Sequence, residues 1–165
     1  MAIVSRVTTK RLMEILGAET GLAFGIAQVS SQEGMDAVVV LPSQLIPQNA
    51  GADLVEKSAG TKYPAFCVYC EKVSNLLTEK FRTFSGKSRM VVEVRVSQDR
   101  LEGIDQQLQM FVDAVTTVLD MHRGDWGGGL LYAGGYEVNL GPVKHGGKNF
   151  LQTAKVSFDI DVSVN

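Results

Sequence analysis

The sequence predicts an α+β fold: a mainly antiparallel β-sheet packed on one long amphipathic α-helix, with a short N-terminal helix and a long loop or arm. Three stretches carry that prediction. Between Leu101 and His122 the apolar residues Leu101, Ile104, Leu108, Phe111, Val112, Val115, Val118 and Leu119 recur at three-four spacing, which paints one greasy stripe on a helix. Between Asn149 and Val164, Phe150, Ala154, Val156, Phe158, Ile160, Val162 and Val164 alternate with Thr153, Lys155, Ser157, Asp159, Asp161 and Ser163, a period of two that only a strand produces. Arg89–Ser97 alternates too, with Met90, Val92, Val94 and Val96 on one side and Val91, Glu93 and Arg95 on the other. A rod with one apolar stripe needs a sheet to lie on, and these strands supply it.

In chain order, Thr8 or Thr9 caps a short helix over Lys10–Leu16 that Gly17 ends. Leu22–Ser30 (LAFGIAQVS) mixes small and apolar residues and reads either as extended chain or as a buried turn. Met35–Leu41 (MDAVVVL) reads as a short buried strand stopped by Pro42. Residues 42–62 hold prolines, glycines and small polar residues without a period, giving a long loop with one helical turn at Asp53–Ser58. Loops beyond about 12–15 residues are usually functional or disordered. An arm ordered against a neighbouring subunit and a mobile surface loop both fit that composition.

Ala65–Val73 is rich in β-formers, Ser74–Ser88 is a loop with its return at Gly86, and Arg89–Ser97 is the next strand. Asp99 is the predicted N-cap of the long helix, Glu102 stands three residues on, and Gly124 is its left-handed stop. Gly124–Gly135 is a glycine-rich connection, Tyr136–Leu140 a strand, Gly141–Gly147 a turn, and Asn149–Val164 the closing strand. Sixteen residues would span roughly 50 Å, so that strand is either bulged or reaches past its own sheet.

At 165 residues, 45% hydrophobic and 21% charged, the chain reads as one domain over 1–165 with a real core. Its net charge of −2 lacks the basic footprint of a dedicated nucleic-acid binder. The N-terminus shows neither a signal peptide nor an unbroken apolar run, and two cysteines without a secretion signal fit a reducing compartment, so a soluble cytoplasmic product is expected.

Chemical motifs are weak. Cys67 and Cys70 form a C-x-x-C, but odd spacing on a strand sends the thiols to opposite faces, and no second ligand pair is near; ordinary packing cysteines are expected. Gly86-Lys87-Ser88 ends like a phosphate loop, yet Phe81 stands where the first glycine should be and a strand follows instead of a helix. Gly127–Gly129 and Gly134–Gly135 follow a helix, not a strand. His122 and His145 fit no metal spacing, and no Ser–His–acid arrangement is visible. No catalytic residue, cofactor or metal is expected. Trp126, Tyr132 and Tyr136 among the glycines either anchor an interface or fold back on their own core. With Phe84, Leu45 and Ile46 they make up the candidate subunit interface. Lys87, Arg89, Lys144 and Lys148 make up the candidate charged surface, which is either a solvated face or a positive patch toward a partner or passing DNA.

A string of features resembles the tail terminators and related neck proteins of tailed bacteriophages. Tyr63-Pro64 leads into a strand, and Phe84-Ser85-Gly86 precedes VVEVRVS (Val91–Ser97). The helix carries Val112-Asp113-Ala114-Val115, and the GDW–YAGGYEV segment is followed by GGKNFLQTAKVSFDIDVSV (Gly146–Val164). The resemblance covers roughly Lys62 to Val164, and Met1–Thr61 departs from the shorter family pattern. It implies a virion protein that forms a homo-oligomeric, typically six-fold ring at the head-proximal end of the tail. Such a ring ends tube growth, contacts tail-tube and neck proteins, and lets DNA pass without binding it or any membrane. Another neck role (connector, stopper or tail completion) is the near alternative. A small enzyme using His145 and Asp125, or a ligand module on a strand edge, are the distant ones.

Overall fold

A computed structural model of the protein describes residues 2–51 and 61–165. The helical turn expected at Asp53–Ser58 lies outside the described residues. The elements are α1 (Ala2–Gly17), α2 (Leu22–Gln32), a 3-10 turn (Pro42–Gln44), β1 (Leu45–Ile46), β2 (Ala65–Asn75), β3 (Phe84–Gln98), α3 (Ile104–Met121), β4 (Gly124–Gly127), β5 (Leu130–Tyr132), β6 (Glu137–Leu140), β7 (Lys144–Gly146) and β8 (Asn149–Val164). The fold is mixed α+β, with the sheet order β1-β2-β3-β8-β5-β4 and with β6 and β7 also on β8. The described pairings are antiparallel except β1–β2.

The long closing strand is neither bulged nor overhanging. β3 matches it residue for residue, from Phe84 opposite Val164 to Gln98 opposite Phe150. The other edge of β8 is shared by three short strands in turn: β7 opposite 149–151, β6 opposite 154–157 and β5 opposite 161–162. Glycine makes this ladder possible at two places. Gly86 lies in β3, not at a turn, and a Cβ there would stand 1.9 Å from the Ser74 carbonyl oxygen. Gly129 holds φ +82 where a Cβ would meet the Ser163 oxygen at 2.1 Å.

The helical layer differs from expectation. Three helices cover the sheet face that carries Met90, Val92, Val94, Val96, Val156, Phe158 and Ile160. α1 starts eight residues earlier than the predicted Lys10 and buries Val4, Leu12, Ile15 and Leu16. Leu22–Ser30 is helical, burying Leu22, Ile26 and Val29. α3 begins at Ile104 behind Gly103, whose φ is +79, so Asp99 is no cap and Leu101 stays 58% exposed. Gln98 closes that turn instead, its Nε2 donating to the carbonyls of Arg100 and Glu102 at 2.7 Å. α3 is also buried on two sides. Leu108, Phe111 and Val115 belong to the core, while Ala114 and Met110 meet α2 through Gly25 and Ser30. Met35–Leu41 is not a strand and is largely exposed.

The second face of the sheet is not uniformly polar. Val91, Glu93 and Arg95 are buried there, with Cys67 and Tyr69 opposite on β2. Buried apolar side chains of this kind contribute roughly 1.5–3 kcal/mol each.

Candidate interaction surfaces

Most of the expected interface aromatics are spent on the chain's own core. Trp126 and Tyr132 are buried, and with Phe158 they form a triple ring cluster with centroids 5.4–6.4 Å apart. Trp126 Nε1 donates to the His122 carbonyl at 2.7 Å, and Arg11 Nε donates to the Trp126 carbonyl at 2.8 Å. Tyr132 OH donates to Gly135 O at 3.0 Å, and its pKa is pushed up to about 12, chiefly by burial. Phe84 is 2% exposed at the start of β3. Burial removes Trp126, Tyr132 and Phe84 from the surface, since a side chain sealed in its own subunit has nothing left to offer a neighbour. Tyr136 remains exposed, next to the exposed Val138 and Leu140 of β6. Leu45 and Ile46 are half-buried and form β1 on the sheet edge, opposite Phe66 and Cys67.

The four basic candidates do not form one patch. Lys87 faces Asp161 at 3.8 Å, and Arg89 sits among Glu137 (2.7 Å), Asp159 (3.3 Å) and Glu71 (3.6 Å). Burial opposes the Arg89 charge, but Asp159 and Glu137 outweigh it and raise its pKa. Lys144 and Lys148 are exposed at the opposite end of β8. The partners of Lys87 and Lys144, Asp161 and Leu151, lie ten residues apart on that strand, roughly 33 Å. The two pairs of cations therefore serve different surfaces, and one pair is already neutralised.

His145 and Asp125 are likewise apart. His145 pairs with Phe150 at one end of β8, and Asp125 pairs with Leu131, itself opposite Asp161 near the other end. Asp125 is engaged in its own turn, accepting from Gly127 N at 2.7 Å. His122 Nδ1 lies 2.7 Å from Val118 O and closes α3. Cys67 and Cys70 are free thiols, opposite Glu93 and Met90 respectively, so they do lie on opposite faces; burial raises the Cys67 pKa, opposed by Arg95. Among the described residues no group of three His, Cys, Asp or Glu is placed to hold a metal ion, and no single helix is long and apolar enough to cross a membrane.

A buried ion pair was not anticipated. Arg95 is 1% exposed, and its Nη2 and Nε donate to Glu93 Oε1 at 3.1 and 3.2 Å. Tyr69 OH donates to Glu93 Oε2 at 3.4 Å, and Arg95 Nη2 also donates to the Ala50 carbonyl. This clasps the chain after β1 onto the sheet. The Tyr69 pKa is pushed up to about 12 by burial first and by Glu93 second. The alternation VVEVRV held a signal for it, because valines on both faces imply that the charges between them are covered as well.

The surface also exposes large apolar side chains. Ile3 (68%) and Val7 project from α1, Met35, Val38 and Val39 from the segment after α2, and Leu76, Leu77 and Phe81 (99%) from the tip of the β2–β3 hairpin. No protein-family model matches the chain, and no curated protein resembles it in sequence.

Proposed function

We propose that this chain is a structural subunit of a tailed-bacteriophage virion, assembling as a typically six-fold ring that ends the tail tube and joins it to the neck. The observation that carries the assembly reading is the exposure of apolar side chains at three places far apart in the chain: α1, the segment after α2, and the β2–β3 hairpin tip. Scattered single apolar residues need no explanation, but clusters on separate surfaces favour a protein that is covered by others. A ring needs two different contact surfaces per subunit, and a third is needed to dock on the next layer.

The phage assignment rests on the resemblance of residues 62–164. The helix of that pattern corresponds to α3, which packs on β3 and β8. The charge distribution fits DNA passage without capture: net charge −2, with Lys87 and Arg89 set among carboxylates. Virion partners would be the tail tube and neck proteins. The separation of His145 from Asp125 leaves the small-enzyme reading without a supporting observation.

Mass measurement in solution and negative-stain imaging test the proposal. The expected result is a ring of about six copies. A monomer at high concentration, both alone and with tail-tube and neck components, overturns it. Capping of purified tail tubes separates a terminator from a connector, stopper or tail-completion protein, which would bind the neck side only.

A further inference from the structure

We infer that the ring contact is made by inserting the Met35–Val39 segment of one copy into the cleft between α1 and the β2 edge of the next copy. The inference rests on the ring reading above and names its contact.

The donor is a strand former without a strand. Glu33–Leu41 (EGMDAVVVL) belongs to no helix or sheet; Met35 and Val39 are 54% and 80% exposed, and only Val40 packs against the core. Met35 N bonds Ser30 O at 2.8 Å, but among the described residues the backbone of 36–39 makes no hydrogen bond. A β-branched run with free backbone groups gains most by pairing with another chain's edge.

The acceptor is an apolar cleft of about 830 Å³ lined by Ile3, Val7, Met13 and Val68, with Arg6 and Lys10 among its walls. β1 pairs only with Phe66 and Cys67, so among the described residues β2 has no strand partner on this side beyond Cys67; Val68 and Tyr69 are buried, and the edge becomes accessible from Cys70 onward. The charges are complementary. Glu33 and Asp36 flank the donor, and neither they nor Arg6 and Lys10 take part in an ion pair among the described residues. The donor starts away from the cleft, where Glu33 and Met35 border a depression shared with Gly103 and Gln106 at the start of α3, and ends near it, where Val40 and Leu41 line a depression with Met13, itself a wall of the cleft. Passed in one direction from copy to copy, a donor-to-cleft contact is head-to-tail, the type that closes into rings.

Native Cys70 lines the cleft and supplies the test. Val38→Cys and Val39→Cys, each treated with a short bis-maleimide, should give a ladder of cross-linked species up to the full ring, abolished by Cys70→Ser. The serine variant Val39→Ser should dissociate the ring while its circular dichroism and Tm stay unchanged, because Val39, 80% exposed, contributes little to its own core. Arg6→Glu should weaken each contact about two- to five-fold, restored by Asp36→Arg. Intact rings in the serine variant together with no Cys70-dependent ladder overturn the inference and leave the ring standing. Products that stop at dimers overturn the head-to-tail geometry. A wild-type protein that is monomeric throughout overturns the ring reading, and this inference with it.

Discussion

Arg95 and Glu93 stabilise the second face of the sheet only as a pair. Truncating one partner strands the other in a site closed to water, whereas removing both together is far cheaper. Arg95→Met should cost about 3–5 kcal/mol in urea denaturation, because among the described residues the Glu93 carboxylate keeps only the Tyr69 hydroxyl. The double change Arg95→Met/Glu93→Leu should recover most of that loss. If the double variant is as unstable as the sum of the singles, the pair is not coupled. A second residue-scale outcome concerns pH. Partial desolvation at the rim of the helix layer, helped by the nearby Glu33, raises the Asp113 pKa above its ordinary value of 3.8, so the fold favours the protonated form. That contribution is present at acid pH and lost as pH rises through the folded pKa. Asp113→Asn should therefore raise Tm at neutral pH by about a degree and leave it unchanged near pH 3, the effect being small because the side chain is exposed. The aromatic residues show what was hard to read at this scale. Trp126 and Tyr132 have the composition of an interface hot spot, and only the position of Phe158 between them decides that they face inward.

Elements were legible where periodicity was long and illegible where glycine or exposure intervened. β8 and the Met90–Val96 alternation were recovered with their faces correct, because side-chain direction on a strand follows a strict period of two even where both faces are covered. α2 was missed because Gly25 and, more weakly, Val29 and Ser30 lower its intrinsic helix propensity. Packing supplies the reason for that glycine: a Cβ at position 25 would lie 2.7 Å from the Ala114 carbonyl oxygen and 3.1 Å from Val118, so α2 and α3 cross there backbone to backbone. Gly25→Val should destabilise by about 1–3 kcal/mol despite valine's lower backbone entropy in the unfolded chain, measured by thermal unfolding. Gly25→Ala should cost less, since alanine restores helix propensity while the helices separate slightly. An unchanged Tm in the valine variant would mean that the crossing is looser than the distances indicate. Met35–Leu41 misled for the opposite reason. Its residues are those of a buried strand, but the fold gives them no neighbouring edge, so the local preference is real and unfulfilled within the subunit.

At the scale of the whole molecule, the hairpin tip separates stability from function. Phe81 is 99% exposed and holds φ +65, a left-handed conformation that costs a bulky residue energy, and Leu77 beside it holds φ +49. Neither side chain returns that cost through burial in its own subunit. A residue that is strained, apolar and bare is best explained by a contact made outside the chain. The tip shares no residue with the Met35–Val39 segment or the α1 cleft, so in the proposed ring it would be available for docking along the tail axis. Phe81→Gly should therefore leave the ring intact and raise monomer stability by about 0.5–1 kcal/mol, because glycine adopts positive φ without strain. The same variant should lose capping of tail tubes in a reconstituted assembly, with Leu77→Ser showing a weaker defect. Capping that survives Phe81→Gly would remove the tip from the docking surface, whereas loss of the ring itself would show that the hairpin serves subunit contacts instead.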